Sequence, residues 1–139
     1  MSITTIAALT YCIVASIVVA FQLALALGVP WGEYSMGGRF PGKYPPRMRI
    51  VAVVNAVILA MTGLVVLSRA GLLLPRWPLS VPWLIWVVVA FSAVGFVMNL
   101  ITPSRGERVR WAPATFAMLV TSLVIAVGPW TGSALDPTR

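Results

Sequence analysis

Residues 28–49 read GVPWGEYSMGGRFPGKYPPRMR. Five glycines and four prolines in this stretch argue for tight turns rather than a helix, and Pro45-Pro46 suits the first turn of a helix that follows. The stretch carries four of the ten basic residues and one of the three carboxylates, whereas the chain on either side is almost purely apolar. It therefore reads as a polar connector between two membrane spans. Trp31, Tyr34, Phe40 and Tyr44 are interleaved with the glycines, which suits a loop lying in the headgroup layer with its rings at the interface.

Working outward, four apolar runs are long enough to cross a hydrocarbon core about 30 Å thick, which takes roughly 20 helical residues. They are residues 3–27, 50–67, 81–101 and 112–130, and the second polar connector is 102–111. None alternates with period two, so each span satisfies its own backbone as a helix. The fold expected is all-α, a single polytopic membrane domain with four transmembrane helices in an antiparallel bundle. The first run has no Lys or Arg ahead of it and is longer than a signal-peptide core, which favours a retained span over a cleaved leader.

Composition excludes several chemistries. Hydrophobic residues make up 60% and charged residues 9% of the 139-residue chain, outside the range of soluble domains. With no histidine and Cys12 as the single cysteine, there is no disulfide, no His/Cys metal site, no histidine-ligated haem and no thiol redox pair, and no cofactor is expected. The net charge of +7 lies in short loops beside spans, so it is read as setting topology and touching anionic lipid headgroups rather than binding nucleic acid. Seven basic residues (Arg39, Lys43, Arg47, Arg49, Arg105, Arg108 and Arg110) fall on the side shared by the first and third connectors, against Arg69, Arg76 and Arg139 on the other. That bias predicts cytoplasmic connectors and both termini outside the cytoplasm.

Polar and small residues inside the spans predict the packing. Thr4, Ala8, Cys12, Ser16, Ala20, Ala24 and Gly28 recur every four residues, a small-residue stripe expected to admit another helix, in this chain or in a homo-oligomer, with Tyr11 and Gln22 on the opposite face. Asn55, Thr62 and Arg69 share a face of the second span, and Ser92, Gly95 and Asn99 a face of the third. Ser104-Arg105-Gly106-Glu107 has capping-box spacing and predicts a short surface helix through Trp111. Pro113 is expected to break that helix, so that the fourth span restarts there with Ala114, Ala117, Thr121 and Gly128 inward.

By depth, Gln22, Asn55 and Asn99 fall near one membrane side, beneath Glu33, Arg39, Arg49, Glu107 and Arg108. These eight residues form a candidate polar pocket, read against a plainer alternative of interhelical hydrogen bonds and neutralised arginines. The stretches LGVPWGEYSMGGRFPGKYPP, SRAG and NLITPSRGERVRWAP resemble a family of short bacterial four-helix membrane proteins to which no activity is assigned. The resemblance implies four spans and a bacterial inner membrane, and brings no substrate, cofactor or catalytic residue. Three functions follow: a module binding lipid or a membrane protein partner through its polar end, a small enzyme acting on a lipid-like substrate with Glu33 or Glu107 as acid/base, and, least supported because no Asp or Glu lies within a span, a small transporter.

Overall fold

The structure, a computed structural model, describes residues 1–73 and 82–128. Arg76 and Arg139, counted above on the less basic side, and the last two residues of the 112–130 run lie outside the described residues. Four α-helices form the bundle: α1 (Ile3–Leu27), α2 (Pro46–Arg69), α3 (Leu84–Ile101) and α4 (Arg105–Val127). Each is long and apolar enough to cross a membrane, and only 17–28% of each apolar window is buried within the protein. The remaining apolar surface, including Ile13, Ile17, Val57, Val94 and Phe116, needs a hydrocarbon solvent, as in a multi-pass membrane protein.

Local chemistry sets the helix ends. Ser2 caps α1, its hydroxyl accepting from the Thr5 N–H. Gly28 ends the helix at φ 93°, a left-handed conformation that favours glycine, and the Gly28 and Val29 N–H groups bond back to the Leu25 and Ala24 carbonyls. Pro46 opens α2 at a position where a missing N–H is harmless, four residues ahead of the apolar run. Ser104 caps α4, accepting from the Glu107 N–H at 3.2 Å.

From that cap α4 runs through Pro113 without a break, contrary to the expected restart. Pro113 lies on the exposed face, so its ring is accommodated there and the helix forgoes only the backbone bond that the missing N–H would make. The capping signal at Ser104 therefore starts the whole fourth span rather than a separate surface helix. Its buried face is Met118, Ser122, Ile125 and Ala126, whereas Ala114, Ala117 and Thr121 are half-buried beside it.

The helices pack as a ring in which α1 lies along α2 and α4, α3 lies along α4, and α2 meets α3 over a shorter length. Thr4 stands against Gly128, and Arg69 donates to the Gly128 carbonyl at 3.5 Å, so the start of α1 and the ends of α2 and α4 share one end of the bundle. The two polar connectors share the other.

The buried face of α1 differs from the expected stripe. Thr4, Ala8, Tyr11, Ala15, Gln22 and Leu25 are buried, while Ser16 and Ala20 are exposed. A residue set spaced strictly by four advances about 40° round the helix at each step, so it winds off any fixed face, whereas alternating steps of four and three stay on one. Tyr11 therefore points into the core. Ser16 and Ala20, with Cys12 of α1 and Ala60 and Gly63 of α2, line an apolar groove of about 380 Å³ between these helices.

Candidate functional site

The first connector is a folded cap on the bundle. Short 3-10 turns at Gly32–Tyr34 and Met36–Gly38 reverse the chain, and the Gly32 N–H donates to the Gly42 carbonyl at 2.9 Å, which closes the loop on itself. Phe21 of α1 stacks on Trp31 with ring centroids 6.2 Å apart and meets Trp111 of α4 at 4.6 Å. Phe21, Leu25, Tyr44 and Ala52 form a small core beneath the loop, with Tyr34, Phe40 and Trp111 packed against it. The aromatic residues thus anchor the loop to the helices.

Three hydrogen bonds fasten this cap to the junction of α3 and α4. The Trp111 indole N–H donates to the Tyr34 carbonyl at 2.9 Å, and the Ser104 hydroxyl donates to the Glu33 carbonyl at 2.8 Å. The third uses Glu107, whose Oε2 accepts from the Gly37 N–H at 2.8 Å and from the buried Thr102 hydroxyl at 2.6 Å. A capping-box glutamate ordinarily turns back to the N–H of its own cap residue. Here the carboxylate faces the loop instead, and the Ser104 N–H approaches the Thr102 hydroxyl at 3.4 Å.

The eight candidate residues divide into four groups. Glu107 is built into the loop contacts. Arg49 and Arg108 are directed at backbone carbonyls, Arg49 Nε to Tyr44 at 2.9 Å and an Arg108 amine to Thr102, and the Arg49 guanidinium also lies against Gly28. Glu33 and Arg39 have exposed side chains. Gln22 is buried, Asn55 and Asn99 are half-buried, and the Asn99 amide donates to the Gly95 carbonyl of its own helix at 2.8 Å. Among the described residues no hydrogen bond joins the three amides.

Thr102, Ser104, Ser35, Tyr44 and Trp111 belong to this end too. Tyr44 is buried, and burial pushes its phenol above the ordinary value of 10.0, opposed by hydrogen bonding with Ser35 and helped by the charge of Glu107. Tyr34 is also raised, by hydrogen bonding and charge from Glu33, while Arg110, 4.0 Å over its ring, pulls the other way. Aromatic enrichment of the loop was the signal for Tyr34, Tyr44 and Trp111.

Docking the loop on the α3–α4 junction gathers all seven basic residues at one end. Arg39, Lys43, Arg47, Arg105, Arg108 and Arg110 are exposed there, with Trp31 and Met36 as exposed apolar neighbours. The end is therefore a cationic surface with an aromatic underside. No protein-family model, curated protein or solved structure matches the chain, so its function rests on the geometry of this end.

Proposed function

We propose that the protein is a non-enzymatic membrane module whose connector-bearing end binds anionic lipid headgroups. The observation that carries this reading is the disposition of the carboxylates: Glu107 is held by Gly37 and Thr102, and the Glu33 side chain is exposed. A general acid or base needs a carboxyl group directed at substrate in a site that excludes water, and neither residue meets that description. The exposed guanidinium groups, by contrast, suit the planar bidentate recognition of phosphate. The enzyme and transporter readings keep no observation of their own.

Membership of the family of short bacterial four-helix membrane proteins, and with it a bacterial inner membrane, is part of this proposal on the strength of the loop motifs. So is the orientation. The seven basic residues at the connector end favour a cytoplasmic location for it and both termini outside. Reporter fusions at Gly106 and at Arg139 should report inside and outside respectively, and two fusions on the same side would overturn the topology.

Native mass spectrometry of protein reconstituted with phosphatidylglycerol and phosphatidylcholine tests the headgroup reading. The wild type should retain the anionic lipid preferentially, and Arg39→Gln/Arg47→Gln/Arg105→Gln should lose that preference. Equal retention of both lipids would refute it. A lipid-derived species that accumulates in Glu33→Gln would support chemistry instead, and cross-links from this end to another protein would move the function to a protein partner.

A further inference from the structure

Seven cations share the connector end, and the structure divides them. Arg49 donates to the Tyr44 carbonyl at 2.9 Å, Arg108 to that of Thr102, and Arg110 to that of Gly106 at 3.1 Å while its guanidinium lies over the Tyr34 ring. The side chains of Arg39, Lys43, Arg47 and Arg105 have no hydrogen bond or ion pair among the described residues. Neither carboxylate of this end, Glu33 or Glu107, forms a salt bridge with any of the seven. Four exposed charges therefore lack a counter-ion in contact with them.

Docking of the first connector on α4 sets where two of the four stand. The Ser104 hydroxyl donates to the Glu33 carbonyl at 2.8 Å, and a β-carbon added at Gly38 would lie 3.5 Å from that of Ser104. Arg39 follows Gly38 and Arg105 follows Ser104, so their Cα atoms are at most about 14 Å apart. Two extended arginine side chains can close that distance over the seam between loop and helix. Left alone, the pair weakly opposes docking, because closing the seam brings two like charges together. An anion between them reverses the sign. Phosphate suits the place, since each guanidinium presents parallel N–H donors to its oxygens.

We propose that the phosphate of an anionic lipid bridges Arg39 and Arg105 and so clamps the first connector onto α4. This rests on the headgroup reading above and adds a consequence within the protein: lipid binding and loop docking strengthen each other by the same factor. Trp31 and Met36, exposed on the same loop, favour a lipid over a free phosphate ion, because they place beside the cations an apolar surface that a bilayer covers and a soluble anion does not. A zwitterionic headgroup would bring a cation of its own to an end that already carries seven, so net-negative lipid is selected.

Hydrogen exchange of the protein in liposomes reads the clamp at the Gly37 amide, whose bond to Glu107 exists only in the docked loop. Exchange there should be about tenfold slower with phosphatidylglycerol present than in phosphatidylcholine alone, a factor within the range for coupled sites. Arg39→Gln and Arg105→Gln should each abolish the difference, whereas Arg47→Gln, which removes the same charge from the start of α2, should keep it. Inorganic phosphate added to phosphatidylcholine liposomes should protect little. Equal exchange in the two lipids, with phosphatidylglycerol still retained in native mass spectrometry, would overturn the clamp and leave the headgroup reading standing. If that retention is lost as well, both fail. Protection by inorganic phosphate equal to that by phosphatidylglycerol would make the ligand a soluble anion, and a loss in Arg47→Gln as large as that in Arg105→Gln would reduce the effect to net charge. Either result refutes the lipid bridge.

Discussion

Gly32→Ala should release the first connector from the bundle. A Cβ at this position would lie 1.8 Å from the Phe40 carbonyl oxygen and 2.8 Å from that of Gly42. Both are backbone atoms of the same closed loop, so no side chain can swing aside. Relief requires parting the chain where the Gly32 N–H meets the Gly42 carbonyl, and that bond organises the turn carrying Glu33, Tyr34 and Gly37 to α4. Overpacking of this kind costs about 1–3 kcal/mol, and at a backbone-to-backbone contact the upper end applies. Limited proteolysis of proteoliposomes should cleave the connector of the variant much faster than that of the wild type, with helix content unchanged. Gly42→Ala is the matched control: Gly42 has φ +78° but nothing within 4 Å of the added carbon, so it should suffer only the backbone strain of about 1–2 kcal/mol. Equal protease resistance of Gly32→Ala and wild type would mean the loop has another way to dock.

Glu107→Ala should have the second-largest effect, because one carboxylate oxygen satisfies two donors from different parts of the chain. Removing it strands the buried Thr102 hydroxyl and the Gly37 N–H together. Hydrogen bonds to a charged group contribute about 1.5–3 kcal/mol each, so the loss is set at about 3 kcal/mol after partial rehydration of the loop. Glu107→Gln keeps an acceptor oxygen in place and should lose about 1 kcal/mol. Thr102→Val in the Glu107→Ala background should then cost less than in the wild type, since the hydroxyl it removes has already lost its acceptor. Thermal unfolding in a fixed detergent measures all three. Wild-type stability in Glu107→Ala would free this carboxylate from its structural role and return the acid/base reading to consideration.

The sequence made depth legible and azimuth much less so. Span length and the basic bias follow from counting residues, and the structure has the four expected long apolar helices, although the fourth begins at Arg105. Rotation about each helix axis is finer. Reading every fourth residue of α1 as one face sent Tyr11 outward, although the steps of four and three from Thr4 through Ala8, Tyr11 and Ala15 mark the buried seam. Pro113 was given more weight than the cap at Ser104, but an exposed proline interrupts one bond and a cap starts a helix.

The candidate polar pocket drew on depth alone, which cannot distinguish an amide that reaches across helices from one that folds back on its own. Asn99 does the latter, donating to Gly95. The loop contacts were beyond sequence reading for another reason. Each pairs a side chain with a backbone group, and a backbone group has no signature in the sequence.

The fastening of the loop also sets an order of events during biosynthesis. Gly37 waits 70 residues for Glu107, Glu33 waits 71 for Ser104, and Tyr34 waits 77 for Trp111. At ribosomal rates of about 5–20 residues per second, the loop emerges roughly 4–15 s before its anchors exist. Within that interval the second span is made and can join the first in the bilayer while the loop between them still lacks its contacts with the α3–α4 junction. Docking on these anchors therefore cannot precede the start of α4, a structural mark that separates a chain carrying its fourth span from one stalled after its second or third.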